Sequence, residues 1–171
     1  MFCINDTVNY GTTGISTIID IKTENIGKDI KKFYILKPLF DNNSTVMVPV
    51  DNEVLVSRIY PILTKEQANK LITELPDIQT DWIQNDRERY PEYKNRIISG
   101  DRHKIFGVLI TLKKRQKHQM ISGRKLRSLD EKLLRDAQKT LYTELAYVLD
   151  VSQDEIPRII KKSFDAAEKT F

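Results

Sequence analysis

Cysteine, tryptophan and histidine are scarce in this chain of 171 residues: it has one Cys, one Trp and two His. The lone Cys3 excludes an internal disulfide and fits a reducing cytoplasm. His103 and His118 stand fifteen residues apart in a basic stretch, far from Cys3, which favours solvated helix-surface histidines over a zinc site. No apolar run approaches the ~20 residues of a membrane span. The opening Met1-Phe2-Cys3-Ile4-Asn5-Asp6 lacks the basic region and apolar core of a secretion signal, so a cytoplasmic location without a membrane partner is expected. Walker and G-x-G-x-x-G phosphate loops are missing. Gly11-Thr12-Thr13-Gly14 has the spacing of an RNA-binding G-x-x-G loop, but that loop joins helices, and this one falls between apparent strands as a turn. Asp81, Asp86 and Glu88 beside Arg87 and Arg89 admit a nuclease-type metal site, although acids near a helix start serve as helix-end electrostatics. No Ser or Cys has a His at a spacing that suggests nucleophilic catalysis. A non-enzymatic protein with no catalytic residue, cofactor, metal or small-molecule substrate is expected.

Charge is plentiful, and its placement says more than its total. The net charge is +4, at 30% charged and 40% apolar residues. Residues 1–60 hold six basic and seven acidic side chains. Residues 87–127 hold thirteen basic residues against Glu88, Glu92 and Asp101, a local +10. A concentrated basic block is the footprint of phosphate binding, because lysines and arginines that release counterions drive association with nucleic acid. The competing reading is a well-solvated helical face, or a surface for an acidic protein partner.

The periodicity changes near Ser57–Pro61. Before it, Thr7–Tyr10, Ile15–Ile26, Lys32–Lys37 and Thr45–Val50 are β-rich runs. They are separated by turn clusters at residues 11–14, 25–29 and 41–44. Short strands at this spacing predict a small antiparallel β-barrel, with Pro49 marking an edge or a bulge. After the boundary the period is helical. Capping boxes are predicted at Thr64–Gln67, Ser128–Glu131 and Ser152–Glu155, each ahead of an apolar stripe. Ser99-Gly100-Asp101 opens a further helix that Gly123 stops. The fold class is therefore α+β: a β-barrel over residues 1–60, then a compact all-α domain over residues 61–171.

Trp82 stands at the leading edge of the basic block. It is either a packing anchor or an aromatic wedge for an unstacked base step, flanked by phosphate-binding arginines. The sequence Asp6-Thr7-Val8…Tyr10…Gly14-Ile15, then Phe33-Tyr34-Ile35-Leu36-Lys37 and Val46-Met47-Val48-Pro49-Val50-Asp51-Asn52, resembles the CarD/CdnL family of bacterial transcription regulators. The first half is also similar to the polymerase-interacting domain of transcription-repair coupling factors. Ser99-Gly100-Asp101 and Glu144-Leu145-Ala146-Tyr147-Val148-Leu149 continue the likeness through the second half, to about Ile160.

The resemblance implies a Tudor-like barrel that docks on the β subunit of bacterial RNA polymerase, through Glu24, Val46, Met47, Val48 and Pro49. It also implies a helical domain that holds promoter DNA at the upstream edge of the melted bubble, with Trp82 as the wedge. The expected DNA contacts are Trp82, Arg87, Arg89, Lys94 and Arg96, extended along the basic block to Lys113, Lys114, Arg115, Lys117, Arg124 and Lys125. The chain departs from the commoner family form in places. Ile83-Gln84-Asn85-Asp86 follows the tryptophan where basic residues are usual, and Tyr10-Gly11 replaces Tyr-Pro. Met47 and Glu24 stand where relatives can carry basic residues. Docking would then rest on backbone strand pairing and apolar contact.

Overall fold

Thr7–Tyr10 (β1) reverses through Gly11-Thr12-Thr13-Gly14 into Gly14–Ile26 (β2). Gly11 and Gly14 take φ of +45° and +90°, which side chains with a Cβ resist, so the turn needs both glycines. In this computed structural model, residues 1–27, 29–41 and 43–168 are described. Lys28 and Asn42, which the sequence assigns to two of the turns, lie outside the described residues, as do residues 169–171.

The chain divides into two units, Met1–Ile62 and Leu63–Phe171. In the first, β2 pairs with Asp29–Pro38 (β3), which pairs with Val46–Pro49 (β4), while Ile59–Pro61 (β5) pairs with β1. The sheet order is β4-β3-β2-β1-β5, antiparallel throughout. A bulge between Ile18 and Asp20 shifts the β2–β3 register. Alternation puts Val8, Ile18, Tyr34, Leu36, Val48 and Ile59 into one core. The expected closed barrel does not form: β4 and β5 are the two edges and do not pair with each other among the described residues. Between them runs a single helical turn, Glu53–Val56 (α1), capped by Asn52. Its Leu55 and Val56 pack on the core in place of strand closure. Pro49 does lie on an edge strand, as its missing N–H requires.

The second unit is helical. Thr64 and Gln67 cap Lys65–Glu74 (α2) reciprocally, and Pro76 sits in the 3-10 turn that follows it. Asp86–Ile98 (α3) is a helix that the apolar period does not announce, because Pro91 interrupts it, yet Arg89, Tyr93 and Ile97 line one buried face. Asp101 caps Arg102–Ile121 (α4), which ends in a Schellman motif at Gly123 (φ +67°): Gly123 N–H donates to Met120 O and Arg124 N–H to Gln119 O. Ser128–Leu149 (α5) packs on α3 and α4. Its predicted capping box is absent. Arg127 is the cap residue without a side-chain bond, and Asp130 turns inward instead. A 3-10 turn with the Ser152–Glu155 capping box leads into Ile156–Glu168 (α6), so Pro157 occupies the first helical turn, where no N–H is missed. Leu71, Leu75, Phe106, Leu112, Leu133, Leu141, Leu145 and Ile156 are among the residues of the shared core.

Candidate functional site

Trp82 lies in the segment between the 3-10 turn at Leu75–Asp77 and α3, and the helices hold that segment almost residue by residue. Gly107 lets α4 approach closely: a Cβ there would stand 3.2 Å from Gln79 O. Lys114 Nζ lies 3.4 Å from Thr80 Oγ1. Tyr93 Oη donates to Asp81 O, and the Asp81 carboxylate accepts from both terminal nitrogens of Arg96 (2.7 and 3.1 Å). That guanidinium holds the Asp81 carboxyl below its ordinary range, and Asp81 in turn raises Arg96. Burial raises the Tyr93 phenol. Arg89 Nη1 donates to Ile83 O (2.8 Å) and Gln84 O (3.3 Å).

Arg89 anchors this arrangement. It is 3% exposed and forms a two-pronged pair with Asp130, Nε to Oδ1 and Nη2 to Oδ2, both at 2.9 Å. Asp86 adds a third bond at 2.6 Å. Its guanidinium carbon lies 4.2 Å from the centre of the Trp82 ring, and that of Arg115 lies 4.8 Å away. The indole is therefore half-buried, packed on the helical core and stacked by two cations, while its Nε1–H reaches Gln84 Oε1 at 3.3 Å. It is a packing residue in this arrangement, with a polar edge facing outward.

The basic block thus sorts into two populations. Arg89, Arg96, Arg102, Lys104 and Arg127 are paired with Asp130 and Asp86, Asp81 and Glu92, Glu144, Asp101, and Asp86 respectively. One of the expected DNA contacts, Arg89, is thereby corrected: bonds to Asp130, Asp86, Ile83 O and Gln84 O engage every donor of its buried guanidinium. Arg96 is partly exposed and keeps donors beyond those given to Asp81 and Glu92. Arg87, Lys94, Lys113, Lys114, Lys117, Arg124 and Lys125 are exposed and carry no ion pair among the described residues. Arg115 is half-buried, and its Nε has no hydrogen-bond partner. The acids Asp81, Asp86 and Glu88 do not converge: Asp81 serves Arg96, Asp86 serves Arg89 and Arg127, and Glu88 accepts from Asn85. His103 is an exposed partner of Glu74 at 2.9 Å, and that hydrogen bond lowers the Glu74 carboxyl.

In the first unit, Val46–Pro49 form the β4 edge. Val50 N–H donates to Lys32 O at 2.8 Å, so by the alternation of an antiparallel ladder Val46 and Val48 also face β3. Met47 N–H and the carbonyls of Met47 and Pro49 point outward. The Met47 side chain is 44% exposed, whereas Val48 is fully buried in the core. Val48 is therefore corrected as a contact side chain; a partner could meet only the backbone around it. Glu24 is exposed and stands opposite Lys31, on the part of the β2–β3 hairpin that runs past the end of β4. The structure does not place it on the β4 edge.

The sheet unit thus offers a short edge strand with one outward N–H and two outward carbonyls, and the helical unit offers a clamped tryptophan together with exposed cations that carry no ion pair among the described residues. No helix of the described residues is long and apolar enough to cross a membrane. Residues 2–60 match the CarD-like/TRCF RID domain, and residues 70–161 match CarD, C-terminal domain. The chain belongs to the CarD family, whose members are transcription regulators rather than enzymes and interact with RNA polymerase.

Proposed function

We propose that the protein bridges bacterial RNA polymerase and promoter DNA in the cytoplasm, and so modulates the stability of the open complex. The sheet unit (Met1–Ile62) docks by β-strand addition on the polymerase β subunit. The outward Met47 N–H and the Met47 and Pro49 carbonyls form the added ladder, and the Met47 side chain gives apolar contact. A Tudor-like sheet with an open edge suits that role. The helical unit (Leu63–Phe171) meets DNA through Trp82 and the cations Arg87, Lys94, Lys114, Arg124 and Lys125. The observation that carries this reading is a half-buried tryptophan stacked between the guanidiniums of Arg89 and Arg115, in a unit that leaves Arg87, Lys94, Lys114, Arg124 and Lys125 exposed and without an ion pair among the described residues. For Trp82 to wedge a base step, Arg115 exchanges the ring for a phosphate, which would also satisfy its orphaned Nε.

Duplex binding by the full chain, followed by fluorescence anisotropy against salt, tests the DNA half. With about four phosphates neutralised, log affinity against log salt has a slope of roughly −4. A flat dependence contradicts it. For the polymerase half, Met47→Pro removes an outward N–H while leaving the bonds to β3 in place. Polymerase affinity is expected to fall about tenfold at unchanged circular dichroism. Retained affinity would exclude pairing along this edge.

A further inference from the structure

The second half of α4 presents two opposed faces. At 3.6 residues per turn, Lys113 and Lys117 project about 160° away from Arg115, the residue that stacks on Trp82. On their side α4 and α6 border an open groove of about 850 Å³, lined by Lys113, Lys117, Met120, Ile121, Lys161 and Phe164, with Gln116 and with Lys114, whose ammonium also reaches Thr80. Met120 and Ile121 are 68% and 81% exposed, the most exposed large apolar side chains of the helical unit among the described residues. No acidic side chain pairs with Lys113, Lys117 or Lys161 among the described residues.

We infer that this groove docks an acidic amphipathic helix of a partner protein, on the face of α4 turned away from Arg115 and Trp82, the two faces sharing Lys114 at their border. The floor is apolar: Met120 adapts its shape to an incoming side chain, and Ile121 and Phe164 add area. The rim is cationic, and lysine stems extend the apolar wall while their ammonium heads stay free for carboxylates. A helix with leucines on one face and glutamates on the flanks is complementary to both features at once. A phosphate backbone would engage the lysines but leave the apolar floor exposed to water. Lys113 and Lys117 accordingly leave the DNA-contacting set.

The test uses the full chain and a labelled synthetic helical peptide, leucine on one face and glutamate on the others, with a lysine-for-glutamate counterpart as control. The acidic peptide is expected to bind saturably and the basic one not at all. The pair Met120→Ser and Ile121→Ser, both at exposed positions, weakens binding about tenfold at unchanged helical content. The pair Lys113→Glu and Lys117→Glu weakens it similarly and steepens no other transition. Duplex DNA does not displace the peptide. Three outcomes overturn the inference: no binding, binding indifferent to both variant pairs, or displacement by duplex together with weaker DNA binding by the serine variant. The last would assign the groove to nucleic acid.

Discussion

Asp130→Ala is expected to destabilise the helical unit by about 3–5 kcal/mol, because it leaves a guanidinium that is 3% exposed without its two-pronged partner. The pair is buried on both sides, at 3% and 6% side-chain exposure, so solvent cannot take over the lost bonds. Asp86 still holds one Arg89 nitrogen, which keeps the loss from being larger. Denaturant unfolding followed by tryptophan fluorescence reads this directly. The only tryptophan lies in the helical unit, 4.2 Å from that same guanidinium, so both the midpoint and the native emission should shift. Joining Arg89→Met to Asp130→Leu should restore part of the stability, since apolar replacement of a whole buried pair is nearly neutral. It does not restore all of it, because Arg89 also satisfies the carbonyls of Ile83 and Gln84. An Asp130→Ala loss under about 1 kcal/mol would mean that the pair is not buried as described.

Glu144→Ala should cost about 3 kcal/mol in the same assay. Glu144 is 1% exposed and accepts from Arg102 at 2.6 and 3.1 Å and from the Leu63 N–H at 3.0 Å. It thus ties the start of the helical unit to the C-terminal part of α5. Glu144→Gln should be milder, because the amide oxygen can still accept from the Leu63 N–H and from Arg102 Nη2, while the charge and the acceptor for Arg102 Nε are lost. Equal losses for alanine and glutamine would show that the backbone bond contributes nothing.

These two pairs mark what the sequence did and did not disclose. Where a residue acts within its own segment, its role was readable: Thr64 and Gln67 capping α2, Gly123 ending α4, Pro49 at an edge, Gly11 and Gly14 at a turn. Where a side chain's role is set by a partner far along the chain, it was not. Ser128–Glu131 has the pattern of a capping box, but Asp130 is drawn to Arg89, forty-one residues away. The Arg89 charge looked available to phosphate until its position on the Tyr93–Ile97 stripe of α3 is noticed. Asp130 and Glu144 lie on the apolar stripe of α5 in the same way. A charge within an apolar stripe is the signal of a buried pair, since such groups enter a core only when partnered. Helix α3 escaped because Pro91 breaks its pattern, and β5 and α1 because three and four residues carry no period. Barrel closure could not be judged from strand count, since it depends on whether the two edges meet.

The basic block changed most. Its local +10 looked like one continuous footprint, yet five of its cations are bound to acids and the rest face different sides of the helices. The charge that remains for a polyanion is smaller, and the tryptophan ring is already stacked by Arg89 and Arg115.

The most direct test of the bridging account is the lifetime of an open promoter complex formed by purified bacterial polymerase, measured after competitor challenge. The full chain should change that lifetime. Met47→Pro should lose the effect by failing to bind polymerase, and Trp82→Ala should lose it while still binding. An unchanged lifetime with the full chain bound to polymerase would contradict the account.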